Sequence, residues 1–194
     1  MPGCKKIFSV SPDVDRYLLL QETGLEQATQ LTESQPLVLG EEPLASRWNP
    51  VVLEWLVVPG EERLGLKKPD IAALGASGFV ISDQTASLLR PALEGVCELL
   101  PVMVEGQPWF LLNITNWQQA LDEEKSVRRR RRNGRVTRMF EKVVLKKDSV
   151  EDGRLFRIAG LGGDYCIDEP GSFHDLVQAN SLSGVIFKAA QYIE

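Results

Sequence analysis

Cys97-Glu98-Leu99-Leu100-Pro101-Val102-Met103-Val104-Glu105-Gly106-Gln107-Pro108-Trp109-Phe110-Leu111-Leu112-Asn113-Ile114-Thr115 is the stretch that decides the fold class. Two apolar runs, Cys97 to Glu105 and Pro108 to Thr115, flank Glu105-Gly106-Gln107, and this is the signature of two strands joined by a tight hairpin. Upstream, Val51 to Val58 is a β-branched and aromatic run closed by Pro59-Gly60, and it reads as a further strand. Phe79-Val80-Ile81 reads as a short strand that passes through Ser82 into a helix from about Asp83 to Leu93. Ser82 or Asp83 is placed to cap its free amides, and Thr85, Leu88, Leu89 and Ala92 fall at helical spacing.

The ends of the chain are read with the same rules. Lys6 to Val10 and Tyr17 to Gln21 are expected as short strands across the Ser11-Pro12-Asp13 turn, either a hairpin or two sheet-edge segments. Leu25, Ala28 and Leu31 hint at a short helix, and the rest of Glu22 to Ser46 reads as loop, broken by Pro36, Gly40 and Pro43. Asn116 with Gln119 resembles a capping box, so Trp117, Ala120 and Leu121 are expected on a short helix ending near Lys125. Asn133-Gly134 is a strong hairpin signal. Leu155 to Ile158, Tyr165 to Ile167 and Gly184 to Lys188 read as strands, and Ser172 to Ala179 as a helix with Phe173, Leu176 and Val177 inward. The sum is an α+β fold, a largely antiparallel sheet of short strands with three or four short helices. One domain is expected over 1–194, any division into subdomains falling near 95–125.

The 194 residues carry 22 Lys+Arg and 27 Asp+Glu, for a net charge of −5. Scaling of surface with mass gives burial of about 70% of the unfolded chain's surface, enough for an ordinary core. The charge is unevenly spread. Lys125 to Lys147 holds eleven basic residues and one acid, Glu141, a balance of +10; the rest holds 11 basic and 26 acidic residues, a balance of −15. The three cysteines, Cys4, Cys97 and Cys166, are odd in number and far apart, which fits a reducing compartment. No leader or membrane span is read, so a cytoplasmic address and no membrane partner are expected.

Chemistry is sparse. His174 is the single histidine. Cys166 and His174 can be imagined as nucleophile and base, although position 174 falls on a short helix beside Phe173, where a packing role is the simpler account. No metal-ligand spacing and no Walker or nucleophile-elbow sequence occurs. Gly160-Leu161-Gly162-Gly163-Asp164-Tyr165 lacks the last glycine of a dinucleotide loop and reads as a turn. Neither enzyme activity, cofactor nor metal is expected. Arg128 to Arg132 reads as a charged edge strand or a clamp onto the acidic remainder. The alternative is a polyanion or nucleic-acid site using Arg128, Arg130 and Arg132 on one face, with Arg135 and Arg138, in a basic hairpin spanning 125–147. Of the four tryptophans, Trp55 and Trp109 are expected in the core, and Trp48 is the best candidate for partial exposure.

Several motifs in order carry a resemblance: Trp48-Asn49-Pro50, Lys68-Pro69-Asp70-Ile71, Gly78-Phe79-Val80-Ile81-Ser82, Glu98-Leu99-Leu100-Pro101-Val102 and Asn113-Ile114-Thr115. Ala120-Leu121-Asp122-Glu123-Glu124-Lys125-Ser126 follows, then Leu155-Phe156-Arg157-Ile158 and Leu182-Ser183-Gly184-Val185-Ile186-Phe187. From about Ile7 to Phe187 the chain resembles the bacterial family called immunity protein 11. The resemblance implies a cytoplasmic, non-enzymatic antidote that binds and neutralises a toxin encoded beside it, often a nuclease, and it brings no catalytic residues. The five-arginine run is not part of it. A toxin acting on nucleic acid is expected to be basic, so the acidic portion suits it, with Glu41, Glu42, Trp48, Glu61, Glu62 and Asp83 as expected contact residues.

Overall fold

In the computed structural model, which describes residues 6–23, 39–57, 65–75, 78–190 and 192–193, the Cys97–Thr115 hairpin supplies two adjacent strands of a closed β-barrel. In chain order the elements begin with β1 (Ile7–Pro12), β2 (Leu20–Glu22), β3 (Val51–Trp55), β4 (Ile71–Leu74) and β5 (Gly78–Ser82). Helix α1 (Asp83–Leu93), β6 (Cys97–Val104) and β7 (Gln107–Ile114) follow. The barrel closes in the order β2-β3-β6-β7-β5-β4. Val104 pairs with Gln107, so Glu105 and Gly106 form a two-residue turn, with φ of 51° and 76°. Positive φ at both positions marks a type I′ turn, whose twist matches that of the flanking strands.

Period-two alternation sorts the barrel's side chains. Val51, Leu53, Val80, Leu100, Val102 and Leu111 fill the interior, whereas Ile71, Phe79, Ile81, Leu112 and Ile114 point outward into a second core. The barrel is therefore packed solid, and closure removes its sheet edges.

The second core lies between the barrel and a five-stranded sheet. Its strands are β8 (Trp117–Gln118), β12 (Phe156–Ile158), β13 (Asp164–Ile167), β14 (Val185–Ala189) and the N-terminal β1, in the order β14-β1-β13-β12-β8. Helices α1 and α2 (Phe173–Ala179) pack together and contribute Leu89, Leu93, Phe173 and Val177 to that core, which also holds Val10 and Cys166 from the sheet. Ile7, Phe156, Ile158, Tyr165 and Ile167 point the other way, into a third cluster shared with Leu145. Leu145 belongs to β11 (Leu145–Lys146), which pairs in parallel with β15 (Tyr192–Ile193). The remaining strands, β9 (Val127–Arg130) and β10 (Val136–Lys142), form a separate two-stranded sheet.

The α+β expectation with three or four helices is corrected. The described structure is 43% strand and 14% helix, with two α-helices and a six-stranded barrel, so the class is mainly β. The helix expected at Asn116 does not form because the Asn116 side chain is engaged elsewhere: its Oδ1, the atom a cap would use, accepts from Gln118 Nε2, and its Nδ2 donates to the carbonyls of Asp152 and Leu155 at 2.9 Å each. Trp117 and Gln118 consequently run as a strand beside Arg157 and Ile158. The opening segments do not form a hairpin, since β1 lies in the five-stranded sheet and β2 in the barrel. The hint of helix at Leu25, Ala28 and Leu31 lies outside the described residues. Both helices form where expected: Ser82 Oγ caps the first by accepting from Thr85 N at 3.2 Å, although Leu88 is exposed, and Ser172, expected inside the second, caps it instead by accepting from Asp175 N at 3.2 Å.

Candidate partner-binding surfaces

The expected acidic contacts are distributed by the barrel register. Glu41 and Glu42 are exposed, in the segment that runs onto β7 at Asn113. Asp83 is exposed at the start of α1, directly after Ser82, which is level with Trp109. Asn113 and Trp109 are four residues apart on β7, about 13 Å, so the fold does not bring Glu41 and Glu42 onto the same spot as Asp83. Glu61 and Glu62 lie outside the described residues. Trp48 is half-buried and donates its Nε1 hydrogen to the Pro101 carbonyl at 2.8 Å. Trp55 and Trp109, expected in the core, are also only half-buried. They meet edge to face at 5.9 Å, with the Lys68 ammonium 5.6 Å from the Trp55 ring and 2.7 Å from Glu105. Lys68 and the Trp55 indole facing it hold the Glu105 carboxyl below its ordinary range.

What positions this surface is a pair that the reading of single residues missed. Glu98 accepts from Leu44 N at 2.7 Å, Ala45 N at 3.2 Å and Asn113 Nδ2 at 2.9 Å. Asn113 Oδ1 accepts from Gly40 N at 3.0 Å, and its Nδ2 also donates to the Glu42 carbonyl. Burial alone would raise the Glu98 pKa, but these three donors outweigh it and hold the carboxyl below its ordinary value. The signal was available: counting outward from the Glu105-Gly106 turn sets Glu98 opposite Asn113.

The basic segment forms an arm. Val136 pairs with Arg130 and Phe140 with Arg128, with register shifts between them. Thr137 Oγ1 holds this irregularity, donating to the Arg129 carbonyl at 2.9 Å and accepting from Met139 N at 3.3 Å. At the tip, Gly134 N donates to the Arg131 carbonyl and Arg131 N to the Arg135 carbonyl, both at 2.9 Å. Gly134 has φ of 78°, whereas Asn133 is not among the positive-φ residues. The turn is therefore a type I turn followed by a left-handed glycine, not the two-residue Asn-Gly form. Because β9 stops at Arg130, Arg132 sits in this turn and not on a strand face with Arg128 and Arg130.

No residue from Val127 to Lys142 is buried. The Arg128 guanidinium lies 4.6 Å from the Phe140 ring centre and 3.6 Å from Glu123. Among the described residues no carboxylate pairs with Arg129, Arg130, Arg131, Arg132, Arg135 or Arg138. These arginines, with Val136, Thr137 and Met139, surround an open groove of about 860 Å³.

Cys166 and His174 are packed for structure. Cys166 is fully buried, and its thiol is pushed up to about 12 by burial, far from the thiolate a nucleophile requires. The His174 ring stacks on Phe8 at 4.5 Å and meets Phe187 edge to face at 4.8 Å, with Nδ1 3.4 Å from Asp168 Oδ1. Gly160 to Gly163 lies in the turn between β12 and β13, whereas Asp164, expected in that turn, already belongs to β13 together with Tyr165.

Three of the motifs that carry the resemblance are joints between layers. Asp70 Oδ2 accepts from Ser183 N at 2.8 Å and Ser183 Oγ at 2.6 Å, and Ile71 N donates to the Ser183 carbonyl at 3.0 Å. The Lys68–Ile71 and Leu182–Phe187 motifs thus lock barrel to sheet. Arg157 Nε donates to Asp164 Oδ1 at 2.7 Å, and its Nη1 reaches the Leu39 carbonyl at 3.2 Å. No curated protein matches the chain. A family model, described as the immunity protein family (Imm11), matches residues 21–192. With most of its length covered and three of those motifs seated at the joints of the fold, the chain belongs to the immunity protein family Imm11.

Proposed function

We propose that the protein neutralises a cognate bacterial toxin in the cytoplasm by stable protein–protein binding, without chemistry of its own. The family match over residues 21–192 carries this reading. The charge layout supports a basic toxin such as a nuclease: the −15 balance outside Lys125–Lys147 raises the rate of encounter with a basic partner and disfavours wrong ones. Exposed Glu41, Glu42 and Asp83, with the half-buried Trp48, are offered as contacts on that acidic body; Glu61 and Glu62 are offered from the sequence alone.

Co-expression tests the reading. The product of the adjacent upstream gene is expected to arrest growth when expressed alone, to be harmless beside this protein, and to co-purify with it. Arrest that persists beside the protein, with no complex recovered, would overturn the proposal.

A further inference from the structure

We propose that the arm of β9, β10 and their turn is the element that reads the toxin, and that its seat is an acidic cleft on that protein. This rests on the immunity reading above. The arm buries nothing of its own, so it contributes nothing to any of the three cores. Its arginines, other than Arg128, have no carboxylate partner among the described residues, and concentrating them raises mutual repulsion that docking onto an anionic surface relieves. The arm is preformed by the Thr137 bonds, the Arg128–Phe140 stack and the two turn bonds, so little ordering is left to accompany docking. β10 has seven residues, a length of about 23 Å. Screening over about 8 Å at physiological salt keeps the acidic body from cancelling the field at the tip.

Two observations favour a protein over a nucleic acid. Val127, Val136 and Met139 are 48%, 54% and 64% exposed among the arginines. Arginine and methionine mixed with aliphatic surface suit a protein interface, whereas a phosphate track has no use for the aliphatic part. The arm's one aromatic ring, Phe140, is covered by Arg128, so it offers no stacking platform to a base. The groove between Arg129–Arg132 and Arg135–Met139 admits carboxylate side chains, and guanidinium forks bind these in a bidentate manner. A toxin with a basic rim and a carboxylate-lined cleft meets both halves of this molecule, the body at the rim and the arm in the cleft.

The test uses the full-length protein with two probes, the co-encoded toxin and a 20-base-pair DNA duplex, at physiological salt. One variant carries Arg129→Ser, Arg130→Ser, Arg131→Ser and Arg132→Ser together, and a second carries the four Lys replacements. Both are expected to unfold at the wild-type temperature, because nothing in the arm is buried. The Ser variant is expected to lose about 100-fold or more in toxin affinity. The Lys variant is expected to recover the association rate but not the slow dissociation, since it keeps charge without the fork. Toxin binding unchanged in the Ser variant overturns the arm's role and leaves the immunity reading standing. Wild-type protein that binds no toxin overturns both. Duplex bound more tightly than toxin, or wild-type self-association abolished in the Ser variant, overturns the acidic cleft as the seat.

Discussion

Gly184 shows how much a single residue can decide here. Its φ is 107°, and any Cβ there would run into the Ile71 carbonyl oxygen, so the backbone of the 183–184 turn sits directly on the start of β4. The Gly184 carbonyl also accepts from Asp13 N at 3.0 Å. Gly184→Ala is therefore expected to cost ~3 kcal/mol or more, through backbone clash and an unfavourable φ together. By contrast, Gly134→Ala has nothing within 4 Å and incurs only the positive-φ strain, on an arm remote from the cores. Thermal unfolding of the two variants checks the difference. A Gly184→Ala protein as stable as wild type would show that the joint between Asp70, Ile71 and Ser183 does not hold barrel to sheet. Nothing in Leu182-Ser183-Gly184 announces this contact, because the partner lies more than a hundred residues away.

Among elements, the segment Gly40–Leu44 is instructive because it is irregular up to the 3-10 turn at Ala45–Arg47. Its amides are held by Glu98 and Asn113 on the central hairpin. The Glu98 carboxyl lies below its ordinary value in the folded protein, so its contribution to stability is fully present above the unfolded pKa of about 4.3 and is lost as pH falls through the lower folded value. Protection of the Leu44 and Ala45 amides, taken as the exchange rate relative to that of the free chain at the same pH, is expected to hold from neutral pH down to about 5 and to fall under more acid conditions. Glu98→Gln is expected to remove that pH dependence, and Glu98→Ala to cost ~2 kcal/mol by leaving donors unpaired. Protection insensitive to pH would refute the assignment. The central hairpin, both capped helices and the Asn133-Gly134 reversal were legible because each depends on neighbours within a few residues. The helix expected at Trp117 was not, because Asp152 and Leu155 occupy the Asn116 amide, and they approach only once β12 is in place.

For the whole molecule, the arm and the body are separable. Ser126 Oγ accepts from Val144 N at 2.9 Å at the base of the arm, and no core cluster includes a residue between Val127 and Lys142. Replacing residues 128–140 with a short Gly-Ser link is expected to leave the unfolding temperature within a few degrees, about 1 kcal/mol, while abolishing protection in the co-expression assay. Unfolding and growth measured on the same variant separate a lost fold from a lost interface. The amino-acid sequence by itself determined the segments with local causes: strand and helix positions set by periodicity, turn and cap chemistry, the +10 and −15 division of charge, and the ordered motifs of the family. Tertiary structure alone decided that the strands close into a barrel beside a second sheet, that three of those motifs serve as joints, and that the arginines from Arg129 to Arg138 stand on an exposed arm with no carboxylate partner among the described residues. The reason is physical: closure, joint and exposure depend on which distant surfaces share a core, and periodicity along the chain shows that a face is apolar without showing what covers it.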